Sequence, residues 1–513
     1  MKNFIRTALV LLIAVKIEPL HSQVSIGWAA RYSGGISGDV GLALTVDNNG
    51  NAYVTGNSYG NQTRRDLVVI KYSPVGTNLW TKRIADTVTN GTMSGSDIVL
   101  DIYHNVIVGG DGIYKYDPNG NLLWSNASIG SRRMSLDSAG NTFNMTGQTF
   151  YLTKKANSGG ALVWERIYPF YQFTYNHVPT DICVDKEQNV LVTGRSRETA
   201  VVLYDYATVK YSNAGDLIWE RRYNGGNEDQ AYAIVCDDSN NVYVTGWNRN
   251  SSTDIRTIKY SSDGDTLWQA VYDGGGFDVG YDIEVDSLGC VYVGGVTNSS
   301  SYVTLKYDVS GNLMWSRVQA SQQIPYSPVL KLDRNRNVYM SFVSFRPGLY
   351  SNYAVVKYDN DGNQKWIAEY NNNGSSNLNY IYDMAVDESS SANIYVTGKS
   401  GGSMATVKFV QTPTQTNETT SSGIPESYFL EQNYPNPFNP STIINYELRI
   451  RNFVMLKVYD IAGREVATLV NEIMPAGKHA VEFNAGNLPS GVYFYSLYVD
   501  GKQIGVKRMT LVK

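Results

Sequence analysis

Asp97, Asp181, Asp282 and Asp383 occupy one position of a repeated sentence, four residues before an aspartate that closes a short apolar run, and they occur in every second copy. The other copies carry Ala43, Arg133, Ala233 and Val329 there. If that position faces a common axis, the four carboxylates form an acidic ring with Glu284, Lys331 and Arg133 nearby. Converging carboxylates suit a hard cation such as calcium, which takes about six to eight oxygen ligands. The competing reading is structural: each aspartate caps its strand or accepts hydrogen bonds from the backbone of the neighbouring unit.

Other chemistry has little material. Gly56 to Gly60 and Gly398 to Gly402 both fit Gly-x-Ser-x-Gly, but each precedes a strand, whereas a nucleophile elbow opens a helix. Asp359 to Asn363 resembles a calcium loop, but its glycine stands at the fourth place and the segment falls on a hairpin found in every copy. His104, His177 and His479 lack repeated partners for a metal or Ser-His site. A carboxylate pair for glycoside cleavage has many candidates, and no feature selects one. Cys183, Cys236 and Cys290 are too few and too scattered for a disulfide framework or a zinc site, and are expected as small buried hydrophobes. A net charge of −4 supplies no basic field for a phosphate backbone, which sets nucleic acid aside as a partner.

The elements that must position these residues are strands. In the clearest copy, Ala233 to Asp237, Val242 to Gly246, Ile255 to Tyr260 and Leu267 to Tyr272 are β-branched or aromatic runs. Asp-, Asn- and Gly-rich turns separate them, so the unit reads as a meander of strands A to D. Eight tryptophans mark strand D: Trp28, Trp80, Trp124, Trp164, Trp219, Trp268, Trp315 and Trp366. Lysines nine residues before seven of them mark strand C, and an eighth, Lys408, has no tryptophan after it. The orphan strand D at Gly27 to Tyr32 therefore completes the orphan strand C at Ala405 to Phe409. The expectation is an all-β, eight-bladed propeller of four-stranded blades, closed by its N-terminal strand. Residues present in every blade answer a need every blade has, so the lysine, tryptophan and aspartate series read as structural and function belongs where blades differ. The irregular loops offer Phe170, Tyr171, Phe173, Tyr175, Arg195, Arg197, Phe345, Arg346 and Tyr350, an aromatic and arginine mixture suited to ligand contact.

Lys2, Arg6 and the apolar run Ala8 to Val15 read as a signal peptide over residues 1–22, and no other apolar run is long enough for a membrane helix. The propeller is assigned to 23–409, a Thr- and Ser-rich linker to 410–423 and a small Ig-like β-sandwich to 424–513. The Tyr-Val-Thr-Gly runs and the Lys-Tyr to Trp spacing resemble the bacterial SBBP propeller repeat. The Tyr434-Pro435-Asn436-Pro437-Phe438-Asn439-Pro440 entry and the Ser490-Gly491-Val492-Tyr493 turn resemble the type A C-terminal sorting domain of type IX secretion. That resemblance implies a secretion-machinery partner for 424–513 and delivery to the cell surface or medium. The sequence reading is an exported, non-catalytic binding or structural module, monomeric, with a polysaccharide or surface protein as partner. Its alternative is an extracellular carbohydrate-active hydrolase or lyase with acidic residues at the channel mouth.

Overall fold

The computed structural model describes residues 24–513 except 36, 60–64, 86–94, 148, 170–176, 198–202, 322–326, 346–350, 372–378, 390, 412–427, 449–451 and 476. The expected signal peptide lies outside the described residues. Among those described there are strands and turns and no helix, so no helix is long and apolar enough to cross a membrane. The chain divides into two compact units, 1–414 and 415–513.

The first unit is a β-propeller in which eight four-stranded antiparallel sheets follow one another. The first strands of the blades are Val40–Val46, Gly95–Leu100, Arg133–Leu136, Val178–Val184, Asp229–Cys236, Val279–Val285, Val329–Leu332 and Tyr380–Val386, numbered below as blades 1 to 8. Strands B and C are almost wholly buried because both their faces meet a neighbouring blade. Blade 8 takes its outermost strand from the start of the chain: Val24–Tyr32 pairs antiparallel with Ser403–Gln411, from Val24 opposite Gln411 to Tyr32 opposite Met404. Backbone and side-chain bonds then pass from blade 8 to blade 1, including Asp383 to Leu44 N and Tyr395 Oη to Gly50 O, so the seam is packed like the other joints.

The repeated residues are staples between blades. In blade 4, Trp219 Nε1 and Lys210 Nζ both donate to Ser262 O in the strand C to D hairpin of blade 5, at 2.9 and 3.0 Å. Arg221 Nε reaches Gly264 O of the same hairpin at 2.6 Å. Lys210 also pairs with the buried Asp185 at 2.8 Å. Gly264 has φ +85°, and a Cβ there would stand 2.9 Å from Trp219, so both backbone and packing demand glycine. The strand A aspartates hold their own turns: Asp237 accepts from the Ser239 and Asn241 backbones and from the Asn241 amide. The segment at Asp359 is the same turn, its carboxylate accepting from Asp361 N and Asn363 N.

Where blade 7 meets the closing blade, one partner must change. The carbonyl that receives these tryptophans belongs to the residue three after the next blade's strand C lysine. In blade 8 that residue is Gln411, and the chain continues as strand there instead of turning. Its side chain takes over: Trp366 Nε1 and Lys357 Nζ of blade 7 donate to Gln411 Oε1 at 3.2 and 2.7 Å. Gln411 Nε2 in turn donates to Tyr339 Oη and Ser391 O. The strand thus runs two residues beyond the expected boundary at 409, because Gln411 performs the work of an absent hairpin.

The cysteine expectation is corrected. Cys183 and Cys236 form a disulfide between strands A of blades 4 and 5, with Cα atoms 6.5 Å apart, and Cys290 is free. Innermost strands converge near the axis, which brings together two residues 53 apart in sequence.

The second unit pairs a three-stranded sheet (Phe429–Leu430, Ser441–Leu448, Gly477–Asn484) with a four-stranded one (Glu465–Met474, Asn452–Asp460, Gly491–Val499, Lys502–Leu511). Their alternating inner faces supply one apolar core, including Tyr446, Leu456, Tyr495 and Leu497. Phe438 from the proline-rich entry is buried in it and meets Phe483. Asn433 closes that entry by bonding Tyr495 Oη and Thr442 Oγ1.

Candidate functional site

A four-stranded meander places its A to B and C to D turns on one face of the ring and its B to C and D to A connections on the other. The first face repeats the same Asp-held turns blade after blade. The second carries the connections that differ, and strand A begins there.

Strand A has an irregularity at that end. In blade 6, Gly280 pairs with Gly295 and Asp282 with Gly294, leaving Tyr281 as an extra residue in a β-bulge. The same bulge presents Leu42, Ser96, Thr180, Tyr232 and Tyr382 in blades 1, 2, 4, 5 and 8. Tyr232, Tyr281 and Tyr382 line an axial cavity of about 500 Å³ with Asp181, Asp282, Glu284, Asp383, Arg133 and Lys331. The Tyr232 and Tyr281 rings lie 4.9 Å apart, and Tyr382 is 45% exposed. All three tyrosines line the mouth, Tyr281 while also packing against the apolar core shared by blades 6 and 7, and the spacing alone gave no sign of the bulge.

Each ring aspartate bonds backbone, as the structural reading expects. Asp97 accepts from Ile98 N and, across the joint, from Met134 N at 2.7 Å. Asp181 accepts from Ile234 N, Asp282 from Ile283 N and Leu330 N, and Asp383 from Met384 N and Leu44 N. Blades are thereby joined in pairs, which accounts for the acid in every second one. Among the described residues, the one group of three carboxylates with oxygens within 4.8 Å of one another is Asp254, Asp273 and Asp278, at a turn between blades 5 and 6. Asp278 there is engaged by Gly274 N, Thr297 Oγ1 and Asn298 N.

Charge at the mouth is mixed and unequal. Lys331 Nζ lies 2.5 Å from Glu284 Oε1. Burial disfavours the charge of Lys331, but Glu284 and Asp282 outweigh it and raise its pKa; burial likewise raises Glu284 against the pull of Lys331. Burial pushes Asp97 and Asp181 up to about 6, with Arg133 opposing. Asp383 is raised by the same cause. Burial also raises the Tyr281 phenol to about 12, so it stays neutral.

Of the loop residues expected to contact ligand, Arg195 and Arg197 lie over one ring, Tyr204, at 4.6 and 5.0 Å, and Arg195 Nη1 donates to Gln230 Oε1 at 3.2 Å. Phe345 is half-buried at the end of strand B of blade 7. Phe170, Tyr171, Phe173, Tyr175, Arg346 and Tyr350 lie outside the described residues.

Residues 432–511 match the family model described as the secretion system C-terminal sorting domain. A comparison with curated proteins gives no significant match. Among solved structures, the chain is similar to Sqt1 from Chaetomium thermophilum, with TM-score 0.51 and 10% identity over 75% of this chain and 100% of that one. It also matches a catalytically inactive virginiamycin B lyase from Staphylococcus aureus, with TM-score 0.40 and 9% identity over 74% and 98% of the two chains. At 10% identity the likeness to Sqt1 speaks to the fold alone.

Proposed function

We propose that the chain is a non-catalytic binding module, exported after signal-peptide removal and carried to the cell surface or medium by type IX secretion, that engages its ligand at the axial mouth. The sorting domain at 432–511 supports the route. The observation that carries the binding role is the cavity of about 500 Å³ with tyrosines at three of its bulges, on the face whose loops differ between blades. A concave site with aromatic walls and a few convergent polar groups is the usual form of a ligand pocket. The acids there hold backbone N–H groups of neighbouring blades, a fixed duty that suits binding better than proton transfer.

The test is equilibrium binding of the full chain to an array of polysaccharides and surface proteins, repeated with a Tyr232→Ala, Tyr281→Ala double variant. Loss of a saturable ligand in the variant, with the melting temperature kept, supports the mouth as the site. Unchanged binding moves the site to the Arg195 and Tyr204 surface. Turnover of any arrayed glycan by the full chain would overturn the non-catalytic reading.

A further inference from the structure

The mouth is uneven in two ways that together select a ligand class. Its aromatic bulges belong to blades 5, 6 and 8, whereas blades 1, 2 and 4 present Leu42, Ser96 and Thr180 at the same position. A purely structural bulge would have no reason to be aromatic on one side only. Its charge is uneven as well. Asp181, Asp282, Glu284 and Asp383 share the cavity with Arg133 and Lys331, and Lys331 is already held by Glu284 at 2.5 Å. Acid is therefore left in excess against one remaining guanidinium.

The bulge sets aromatic and acid side by side. Tyr281 directly precedes Asp282, and Tyr382 directly precedes Asp383, so each tyrosine stands beside its own carboxylate at the cavity wall. The Tyr232 and Tyr281 rings, their centroids 4.9 Å apart and tilted at 45°, pack against each other and together form an aromatic stretch of the cavity wall. Aromatic faces attract cations through the ring quadrupole, more strongly where water is partly excluded. Neighbouring carboxylates add direct attraction. Neutral sugars would use the faces but leave the acid excess unanswered, and anions would meet it as repulsion.

We propose that the mouth takes an organic cation, a ligand group carrying a primary ammonium or guanidinium, seated in the cavity against the Tyr232 and Tyr281 pair and beside Asp282. This rests on the mouth being the binding site and names what it accepts.

The experiment is calorimetric titration of the full chain with spermidine, using maltotriose as neutral probe, glutarate as anionic probe and calcium chloride as inorganic cation. Saturable spermidine binding is expected. It should weaken about tenfold in Tyr281→Ala and by a similar factor in Asp282→Asn, on the scale of one aromatic or charged contact. Added salt should weaken it. Acidification from pH 7.5 to 5 should weaken it too, as Asp97 and Asp181, lifted to about 6 by burial, gain protons while Arg133 and Lys331 keep theirs. Tyr382→Ala, at an exposed position, provides a variant that folds if Asp282→Asn does not, and it should lower spermidine affinity severalfold. Maltotriose binding lost in Tyr281→Ala, with no response to spermidine, would overturn the cation class and keep the mouth as the site. Calcium binding that ignores the tyrosine variants would overturn it in favour of an inorganic ion. No response to any probe, together with array binding unaffected by the double variant, would overturn both readings.

Discussion

The two faces of the propeller are built from the same strands and differ in what they hold constant. On the turn face, joint after joint repeats one device: a tryptophan of one blade, most often with a lysine, closes on a hairpin carbonyl of the next, as Trp219 and Lys210 do on Ser262, with the Gln411 side chain standing in where blade 7 meets blade 8. On the loop face, equivalent positions hold Leu42, Ser96, Thr180, Tyr232, Tyr281 or Tyr382. Repetition marks a need common to all blades, and its absence marks freedom to specialise. Stability is therefore expected to concentrate on the turn face and ligand contact on the loop face.

The sharpest way to break that division is to remove a turn-face charge. Lys210→Ala leaves Asp185, whose side chain is 0% exposed, without its partner at 2.8 Å. Denaturant unfolding should show a loss of about 3–5 kcal/mol, the usual cost of stranding a buried charge. Next is the seam: Gln411→Ala removes the acceptor shared by Trp366 and Lys357 and should cost about 2–3 kcal/mol. A cost near zero would show that the ring closes by strand pairing alone. Gly264→Ala forces a side chain onto Trp219 at a positive φ and should cost about 1–3 kcal/mol.

A smaller effect is expected from pH. Burial lifts Asp97, Asp181 and Asp229 from 3.8 to about 6, with Arg133 opposing the first two and the Gly225 backbone opposing the third. Between pH 4 and 6 the folded chain then holds protons that the unfolded chain has released, so these groups make stability fall as pH rises through that window and remain flat above it. Thermal melts should run higher at pH 5 than at 7.5, and Asp229→Asn should narrow the gap. The smallest effect belongs to the loop face. Tyr382→Ala, at a residue 45% exposed, should change stability by less than about 0.5 kcal/mol while changing binding.

Much of the division was legible in the chain. The Trp and Lys series mark the joints because a propeller meets the same packing problem at each one, and a problem solved repeatedly leaves a period. The orphan strands at Gly27 and Ala405 announced the clasp, and it forms with Trp28 opposite Lys408. Gln411 carried no such signal, since it breaks the series by replacing a backbone carbonyl with a side chain. The four ring aspartates were found by position. Their bonding across alternate joints, to Met134, Ile234, Leu330 and Leu44, needed the neighbouring strand in place.

By itself, then, the sequence determined what local periodicity encodes: strands, their alternation, tight turns, the repeat and the sorting domain at the end. The tertiary structure decided what depends on convergence. Strands distant in the chain crowd at the axis, which closes Cys183 onto Cys236. One-residue bulges there fall at Tyr232, Tyr281 and Tyr382, and all three residues line the mouth. A bulge shifts facing by a single residue, and composition at that position is the same whichever way the side chain points.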